Sequence, residues 1–321
     1  MSTATLRIVI PGDDPPQVQG SPHLDRLRQR GEVVLYTDQP TSVAEQIERA
    51  QDAVCLINSR SSLHWPGAVL RQLPQLKMIT VCGIGTDAID LTAARELGIT
   101  VCNLPGRTAP IVAEHAFGLM LAVAKRAWFQ TNELKSDRWT ALDNVYLRGK
   151  TLGLIGAGPI GREMAHLCRV IGMTVKAWTF HPSEERARSL GVSFVSLEEL
   201  LDGADVVSLH VPLTEQSRGL IGAREFSRMR PGTILINTAR GAVVDTPALV
   251  AWLRSDPRNA AGLDVFDVEP LPGDHPLLTC QNVVLTPHNA DQTPEGMEML
   301  NAGVVDNVLA FLDGQPRNRV V

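Results

Sequence analysis

Short apolar runs alternate with amphipathic stretches along most of the chain. Strand-like runs fall at Leu6–Ile10, Val33–Tyr36, Ala53–Ile57, Met78–Cys82 and Thr100–Cys102, with helical patterns between them at Leu24–Arg30, Val43–Ala50 and Leu91–Leu97. Apolar runs this short, each followed by an amphipathic stretch, predict parallel strands joined by crossover helices. Ile111–Trp128, rich in Ala, Leu and Met, reads as one long helix, and a polar stretch with Asp137, Arg138 and Trp139 follows it. A second series then begins with strand Thr151–Ile155, helix Ile160–Ile171, strand Thr174–Trp178, helix Leu197–Leu201 and strand Asp205–Leu209. It continues with strand Thr233–Asn237, helix Pro247–Arg254 and strands Ala261–Val265 and Val283–Leu285. The last helix, Pro294–Leu312, lies beyond the end of this series.

Two such series in 321 residues predict an α/β protein of two domains, each able to bury its own core. Hydrophobic residues make up 44% and charged residues 20%, a globular balance that argues against extended disorder. The formal charge of −5 offers no footprint for nucleic acid or an anionic membrane. The start, Met1 to Arg7, lacks an apolar signal core, and the longest near-apolar stretch, Ala116–Ala124, falls well short of the roughly 20 residues a bilayer needs. The five cysteines are odd in number and form no C-x-x-C pair. Together these features predict a reducing compartment, a cytoplasmic location and no metal site.

The chemistry begins at Gly156-Ala157-Gly158-Pro159-Ile160-Gly161, which follows one predicted strand and opens a helix. Glycines at this spacing serve a tight turn, close backbone approach to a pyrophosphate and helix–sheet contact, while the helix end faces the phosphates. Pro159 fits because an early helical position has no hydrogen bond to lose. The acidic residue expected at the end of the next strand, to hold a ribose, is replaced by Thr179. No carboxylate there repels a 2′-phosphate, and His181 with Arg186 or Arg188 stands near enough in sequence to contact one. NAD and NADP both stay open, with a slight preference for NADP.

Three segments each end a strand of the second series: Ile236-Asn237-Thr238-Ala239-Arg240-Gly241, Gly262-Leu263-Asp264 through Glu269-Pro270, and Leu285-Thr286-Pro287-His288. Ligands of open α/β sheets bind beyond the carboxyl ends of the strands, where these side chains converge. This order of segments, downstream of a glycine fingerprint, resembles the D-isomer-specific 2-hydroxyacid dehydrogenase family over nearly the whole chain, including its glyoxylate/hydroxypyruvate reductase and phosphoglycerate dehydrogenase-like members. The resemblance implies a Rossmann-type dinucleotide-binding domain at 103–289. It also implies a smaller flavodoxin-like substrate-binding domain, discontinuous, at 1–102 and 290–321, to which the final helix returns.

The same resemblance implies the roles. Arg240 binds the substrate carboxylate and polarises the keto oxygen, a task suited to a fixed fork of donors. His288 exchanges the proton, Glu269 holds the imidazole, and Asp264 hydrogen-bonds the nicotinamide amide. Pro212, Thr238 and Ala239 join Gly156, Gly158, Pro159, Ile160, Gly161, Thr179 and His181 as cofactor contacts. In the first domain, the backbone at Ile84 and Gly85, within Cys82-Gly83-Ile84-Gly85-Thr86-Asp87, cradles the carboxylate, and Arg60 adds a contact. Phosphoglycerate dehydrogenases of the family place two arginines where this chain has Asn58 and Arg60, which weakens a 3-phosphoglycerate reading. Leu104-Pro105-Gly106-Arg107 resembles the hinge between domains, and the 111–147 region resembles the family's homodimer contact. The implied partner is a small 2-keto or 2-hydroxy acid. The competing reading is a dinucleotide-sensing, non-catalytic binding or corepressor-like protein of the same fold.

Overall fold

The computed structural model describes residues 6–321. The chain divides into two units, Met1–Thr108 together with Gln292–Val321, and Ala109–Asp291.

The first unit holds five parallel strands, β1 (Arg7–Ile10), β2 (Glu32–Leu35), β3 (Cys55–Asn58), β4 (Met78–Val81) and β5 (Thr100–Cys102). Their order, β2-β1-β3-β4-β5, is that of flavodoxin-like sheets. Alternating residues serve opposite faces, so each strand feeds two cores. Val9, Leu56, Ile79 and Val81 pack with Trp65, Val69 and Leu70. Ile8, Ile10, Ile57 and Met78 pack with Leu24, Leu27 and, from helix Pro294–Leu312, Leu300, Val304 and Val308. That helix starts at a Thr293 cap whose hydroxyl accepts the Gly296 N–H, a contact of about 1 kcal/mol. Buried on both faces, β1, β3 and β4 need continuous apolar runs, and this is why they were legible as runs rather than alternations.

The second unit holds seven parallel strands: β6 (Thr151–Ile155), β7 (Thr174–Trp178), β8 (Ser193–Phe194), β9 (Val206–Leu209), β10 (Ile234–Asn237), β11 (Ala260–Leu263) and β12 (Val283–Leu285). Their order is β12-β11-β10-β9-β6-β7-β8. Counted from β6, this is the doubly wound dinucleotide-binding order with one strand added at the far edge, and its direction reverses between β6 and β9. At that switch point the loops after β6 and β9 diverge to opposite faces and leave room for a ligand.

Three features depart from the sequence expectation. The long helix expected at 111–128 is two, Ala109–Ala124 and Ala127–Lys135, because Arg126 between them adopts φ 48°. A left-handed non-glycine residue cannot continue a helix, so the axis restarts there. Short helices at Gly67–Leu70, Glu184–Leu190 and Ala223–Arg228 carry too few turns to show a period in sequence. Strand β8 has only two residues, and its pairing of Lys176 with Ser193 and Ala177 with Phe194 recruits it to the sheet edge.

Candidate active site

The glycine loop sits at the switch point of the seven-stranded sheet. Gly156 has φ 106°, and a Cβ there would lie 2.4 Å from the His210 carbonyl oxygen at the end of β9. A Cβ on Gly161 would lie 2.3 Å from the Gly156 carbonyl oxygen. Both positions are closed to any side chain by the protein's own backbone. Gly158 differs, since a Cβ there would meet nothing within 4 Å. Its lack of a side chain leaves open space over the start of helix Pro159–Val170, where Gly158 is the cap and offers no side chain to the first-turn N–H groups. Pro159 occupies the first helical position, and Ile160 packs partly into the core beneath. An uncapped helix start beside a vacant glycine face fits a pyrophosphate.

The neighbouring residues fit the rest of a dinucleotide. Thr238, at the carboxyl end of β10, is buried, and its Oγ1 has no hydrogen-bond partner in the protein. Ala239 donates its N–H to Asn237 Oδ1 at 3.0 Å, and the Pro212 carbonyl takes the Ser217 hydroxyl at 2.6 Å, which sets the turns after β10 and β9. At the end of β7, Thr179 is half-buried and His181 exposed. Arg186 bridges this strand end to the glycine loop, donating to the His181 carbonyl at 2.7 Å and the Ala157 carbonyl at 3.2 Å. Arg188, in the last turn of helix Glu184–Leu190, is exposed.

His210 was missed in sequence. Its Nε2 lies 2.9 Å from Ser208 Oγ, while Nδ1 is shut off from solvent without a partner, and burial pushes its pKa down to about 4. The unfolded chain takes up this proton near pH 6.5 and the folded one only near pH 4, so stability falls as pH drops between these values and levels off below. The loss is on the order of 2 kcal/mol, below the full shift because the residue as a whole keeps some exposure. Urea midpoints at pH 7 and pH 4.5 should therefore draw closer in His210→Asn than in the unsubstituted protein. Equal pH dependence in both would show that His210 is not the group responsible.

Beyond β10, β11 and β12 stand Arg240, Glu269 and His288. Gly241 makes the approach of the first two segments possible, because a Cβ there would overlap the Phe266 backbone. Glu269 Oε1 accepts the Phe266 N–H at 2.8 Å, and Oε2 lies 2.7 Å from His288 Nδ1. Burial raises the Glu269 pKa, but the bond and charge of His288, the Phe266 N–H and the charge of Arg240 outweigh it, so the carboxyl sits below its usual range. An ionised carboxylate only accepts, so Nδ1 carries hydrogen and Nε2 is the nitrogen left to exchange a proton. Arg240 donates from Nη1 to the Ala239 carbonyl at 2.8 Å, and its own carbonyl is held by Asn237 Nδ2 at 2.9 Å.

The segment carrying His288 is tied down on both sides. His288 has φ 51° and donates its N–H to the Thr286 carbonyl at 3.0 Å, across Pro287. Asp264, wholly buried, accepts the Thr286 hydroxyl at 2.6 Å and the Asn289 N–H at 3.0 Å on Oδ1, and the Ala290 N–H at 3.1 Å on Oδ2. Both carboxylate oxygens thus hold the His288 loop. His115, from helix Ala109–Ala124, places Nε2 3.0 Å from Thr286 Oγ1 and 3.5 Å from Asp264 Oδ1. Nothing in the sequence pattern singled it out, because its partners are about 150 residues away or more.

In the first unit, the substrate-binding candidates follow β3 and β4. Arg60 is left-handed at φ 52° and donates to Gln292 Oε1 at 3.0 Å. Buried Asp13, also missed in sequence, accepts the N–H groups of Gln17, Val18 and Gln19 and the Ser59 hydroxyl, and so ties the loop after β1 to the Arg60 turn. Asn58 is buried and donates to the Leu63 carbonyl at 3.0 Å, acting within the turn rather than as a charge. Ile84 is exposed, and its carbonyl accepts from Asn103 Nδ2 at 2.8 Å, while Gly85 continues an irregular loop after β4.

Among the described residues no group of three or more His, Cys, Asp or Glu side chains is placed to hold a metal ion, and no helix is long and apolar enough to cross a membrane. All five cysteines are buried and none forms a disulfide among the described residues, and burial pushes the thiols of Cys55 and Cys168 up to about 12. Cys55 and Cys168 are packing residues, not nucleophiles.

A dinucleotide switch point with an arginine, a carboxylate-held histidine and an open glycine loop in one α/β unit defines a nicotinamide-dependent dehydrogenase. The model of the D-isomer specific 2-hydroxyacid dehydrogenase NAD binding domain matches residues 117–290. A hydroxypyruvate reductase of Thermotoga maritima is 42% identical over 79% of this chain and 83% of its own length. A D-3-phosphoglycerate dehydrogenase of Archaeoglobus fulgidus is 38% identical over 92% of this chain, which spans 56% of that protein's length. Among solved structures, a glyoxylate reductase described as from Paecilomyes thermophila superposes with a TM-score of 0.90 at 27% identity, covering 98% of each chain. The chain belongs to the D-isomer specific 2-hydroxyacid dehydrogenase family. It is an oxidoreductase that uses a nicotinamide cofactor to interconvert small 2-keto acids and 2-hydroxy acids.

Proposed function

We propose that this enzyme reduces a short, unphosphorylated 2-keto acid of the glyoxylate or hydroxypyruvate type to the D-2-hydroxy acid, with NADPH as the preferred cofactor. The observation that carries the catalytic part is the 2.7 Å contact between His288 Nδ1 and Glu269 Oε2, with the Arg240 charge close enough to act on the same carboxylate. When bound, the reduced nicotinamide supplies the hydride. Charge then builds on the keto oxygen, and His288 gives it a proton from Nε2 while Glu269 stabilises the imidazolium. Arg240 holds the substrate carboxylate and polarises the keto oxygen through its planar fork. Arg60 and the backbone of Ile84 and Gly85 are the substrate contacts proposed for the first unit, and Asp264 is the proposed contact for the nicotinamide amide. A single arginine after β3, with Asn58 buried beside it, favours a carboxylate or hydroxyl tail over a phosphate.

The cofactor preference rests on a neutral Thr179 at the end of β7 and on the Arg186 cation spanning His181 and Ala157. A charge-assisted contact to a 2′-phosphate is worth about 2 kcal/mol, so kcat/KM for NADPH should exceed that for NADH by at least about tenfold. Absorbance of the reduced nicotinamide with glyoxylate, hydroxypyruvate, pyruvate and 3-phosphohydroxypyruvate tests both parts. A preference for the phosphorylated acid, or for NADH, would overturn the corresponding part. Inactivity towards the whole panel with the dinucleotide bound would favour the non-catalytic alternative.

The proposed assembly is a cytoplasmic homodimer joined through the 111–147 region. Its support is the exposure of Trp128, Leu134, Trp139 and Tyr146 in one segment, beside an apolar groove lined by Trp128, Phe129, Leu142, Val145 and Val283. Large aromatic side chains in water are costly unless covered. Sedimentation should give about twice the chain mass of 34.8 kDa, and Trp139→Glu should lower it. A monomer at micromolar concentration would contradict this assembly.

A further inference from the structure

We infer that His115 is a positioning residue for His288, acting through Thr286 and Asp264 as a directed hydrogen-bond chain. This rests on the reading of His288 as the proton donor, but its test includes a readout that does not. The direction follows from counting protons. Asp264 already receives two backbone N–H groups and lies below the usual carboxylate range, because the bonds from His115, Thr286 and Asn289 outweigh its burial. A carboxylate only accepts, so the single hydroxyl proton of Thr286 is spent on Asp264 Oδ1 at 2.6 Å. Thr286 Oγ1 is then an acceptor towards the ring 3.0 Å away, and His115 must present Nε2–H. The chain runs from His115 Nε2 to Thr286 Oγ1 to Asp264 Oδ1.

Its far end is mechanically significant. Asp264 holds the N–H groups of Asn289 and Ala290, the two residues after His288, while Thr286 holds the His288 N–H through its carbonyl. His288 is therefore suspended between two anchors that both depend on one carboxylate, in a left-handed backbone conformation that is uncommon for non-glycine residues. His115 stands on the 16-residue helix Ala109–Ala124, which packs against β10, β11 and β12 and gives the chain a rigid origin. Removing the Nε2 donor leaves Thr286 and buried Asp264 short of a bond, and the loop shifts to recover one. Misplacement of a proton donor by about 1 Å costs on the order of a hundredfold in rate.

His115→Leu removes the donor, and His115→Gln returns an N–H near the Nε2 position. The leucine variant should lower kcat about ten- to a hundredfold with the dinucleotide Kd unchanged, and the glutamine variant should recover most of it. Amide exchange at Asn289 and Ala290, measured in the protein without substrate, should quicken in His115→Leu and return to normal in His115→Gln. Thr286→Val should reproduce the leucine variant, and the double variant should be no worse than either single one, since both cut the same chain. If His115→Leu does not fold, the contrast of Thr286→Val with Thr286→Ser carries the test. Unchanged exchange at Asn289 and Ala290, or a glutamine variant as impaired as the leucine one, overturns the inference. If the unsubstituted protein turns over no 2-keto acid, the reading of His288 fails, and amide exchange still decides whether His115 holds the loop.

Discussion

His288→Gln lowers kcat for 2-keto acid reduction by about 10³-fold, while dinucleotide affinity stays within about twofold. Glutamine keeps a donor near the ring position and preserves the contact to Glu269 Oε2, so the loop between Thr286 and Ala290 has no reason to collapse. It cannot, however, release a proton at any useful pH, and a general acid contributes roughly 10²–10⁴-fold. The glycine loop and Thr238 belong to other strand ends and do not touch this residue, which is why cofactor binding survives. Stopped-flow reduction with saturating cofactor, beside a fluorescence titration of the dinucleotide, separates the two effects. A folded variant with kcat within a few-fold of the original would remove His288 from the proton-transfer role.

Arg240→Lys lowers kcat/KM for the 2-keto acid by about 10²-fold or more, although the formal charge is unchanged. The guanidinium offers a rigid planar fork that meets a carboxylate with two parallel bonds, whereas an ammonium is a point charge on a flexible stem. Loss of one charge-assisted bond of about 3 kcal/mol accounts for a factor of this size. The Arg240 charge also helps to keep Glu269 ionised, and lysine retains that influence, so the proton-transfer pair should remain intact. The expected pattern is a raised KM for the acid with a lowered kcat and little change in cofactor KM. Unchanged kcat/KM across the acid panel would count against Arg240 as the carboxylate ligand.

The segments carrying Arg240, Glu269 and His288 were legible because each sits where a parallel strand ends, and continuous apolar runs mark parallel strands plainly. Thr151–Ile155, Thr174–Trp178 and Val283–Leu285 were read to the residue, as was helix Pro294–Leu312. The glycine positions and their general reasons were also legible, but the atoms that close each position were not. Only the backbone shows that Gly156 and Gly161 are closed by His210 and Gly156 itself, while Gly158 faces open space. The break at Arg126 had no signal, since arginine is a good helix former and its left-handed turn is set by what surrounds it.

The chain's own pattern of apolar runs, glycine spacing and strand ends determined the α/β class, the glycine loop and the three strand-end segments that carry Arg240, Glu269 and His288, while the roles proposed for these residues came from the family resemblance. These are local properties, because a strand, a turn or a reactive group is specified by residues within a few positions of one another. Tertiary structure alone decided the strand order that puts the glycine loop at the switch point, the 2.7 Å pairing of His288 with Glu269, and the side-chain ties from Asp13, Asp264 and His115. Those contacts join residues 19 to 171 positions apart, and their geometry is set by packing over the whole sheet, which no local pattern encodes.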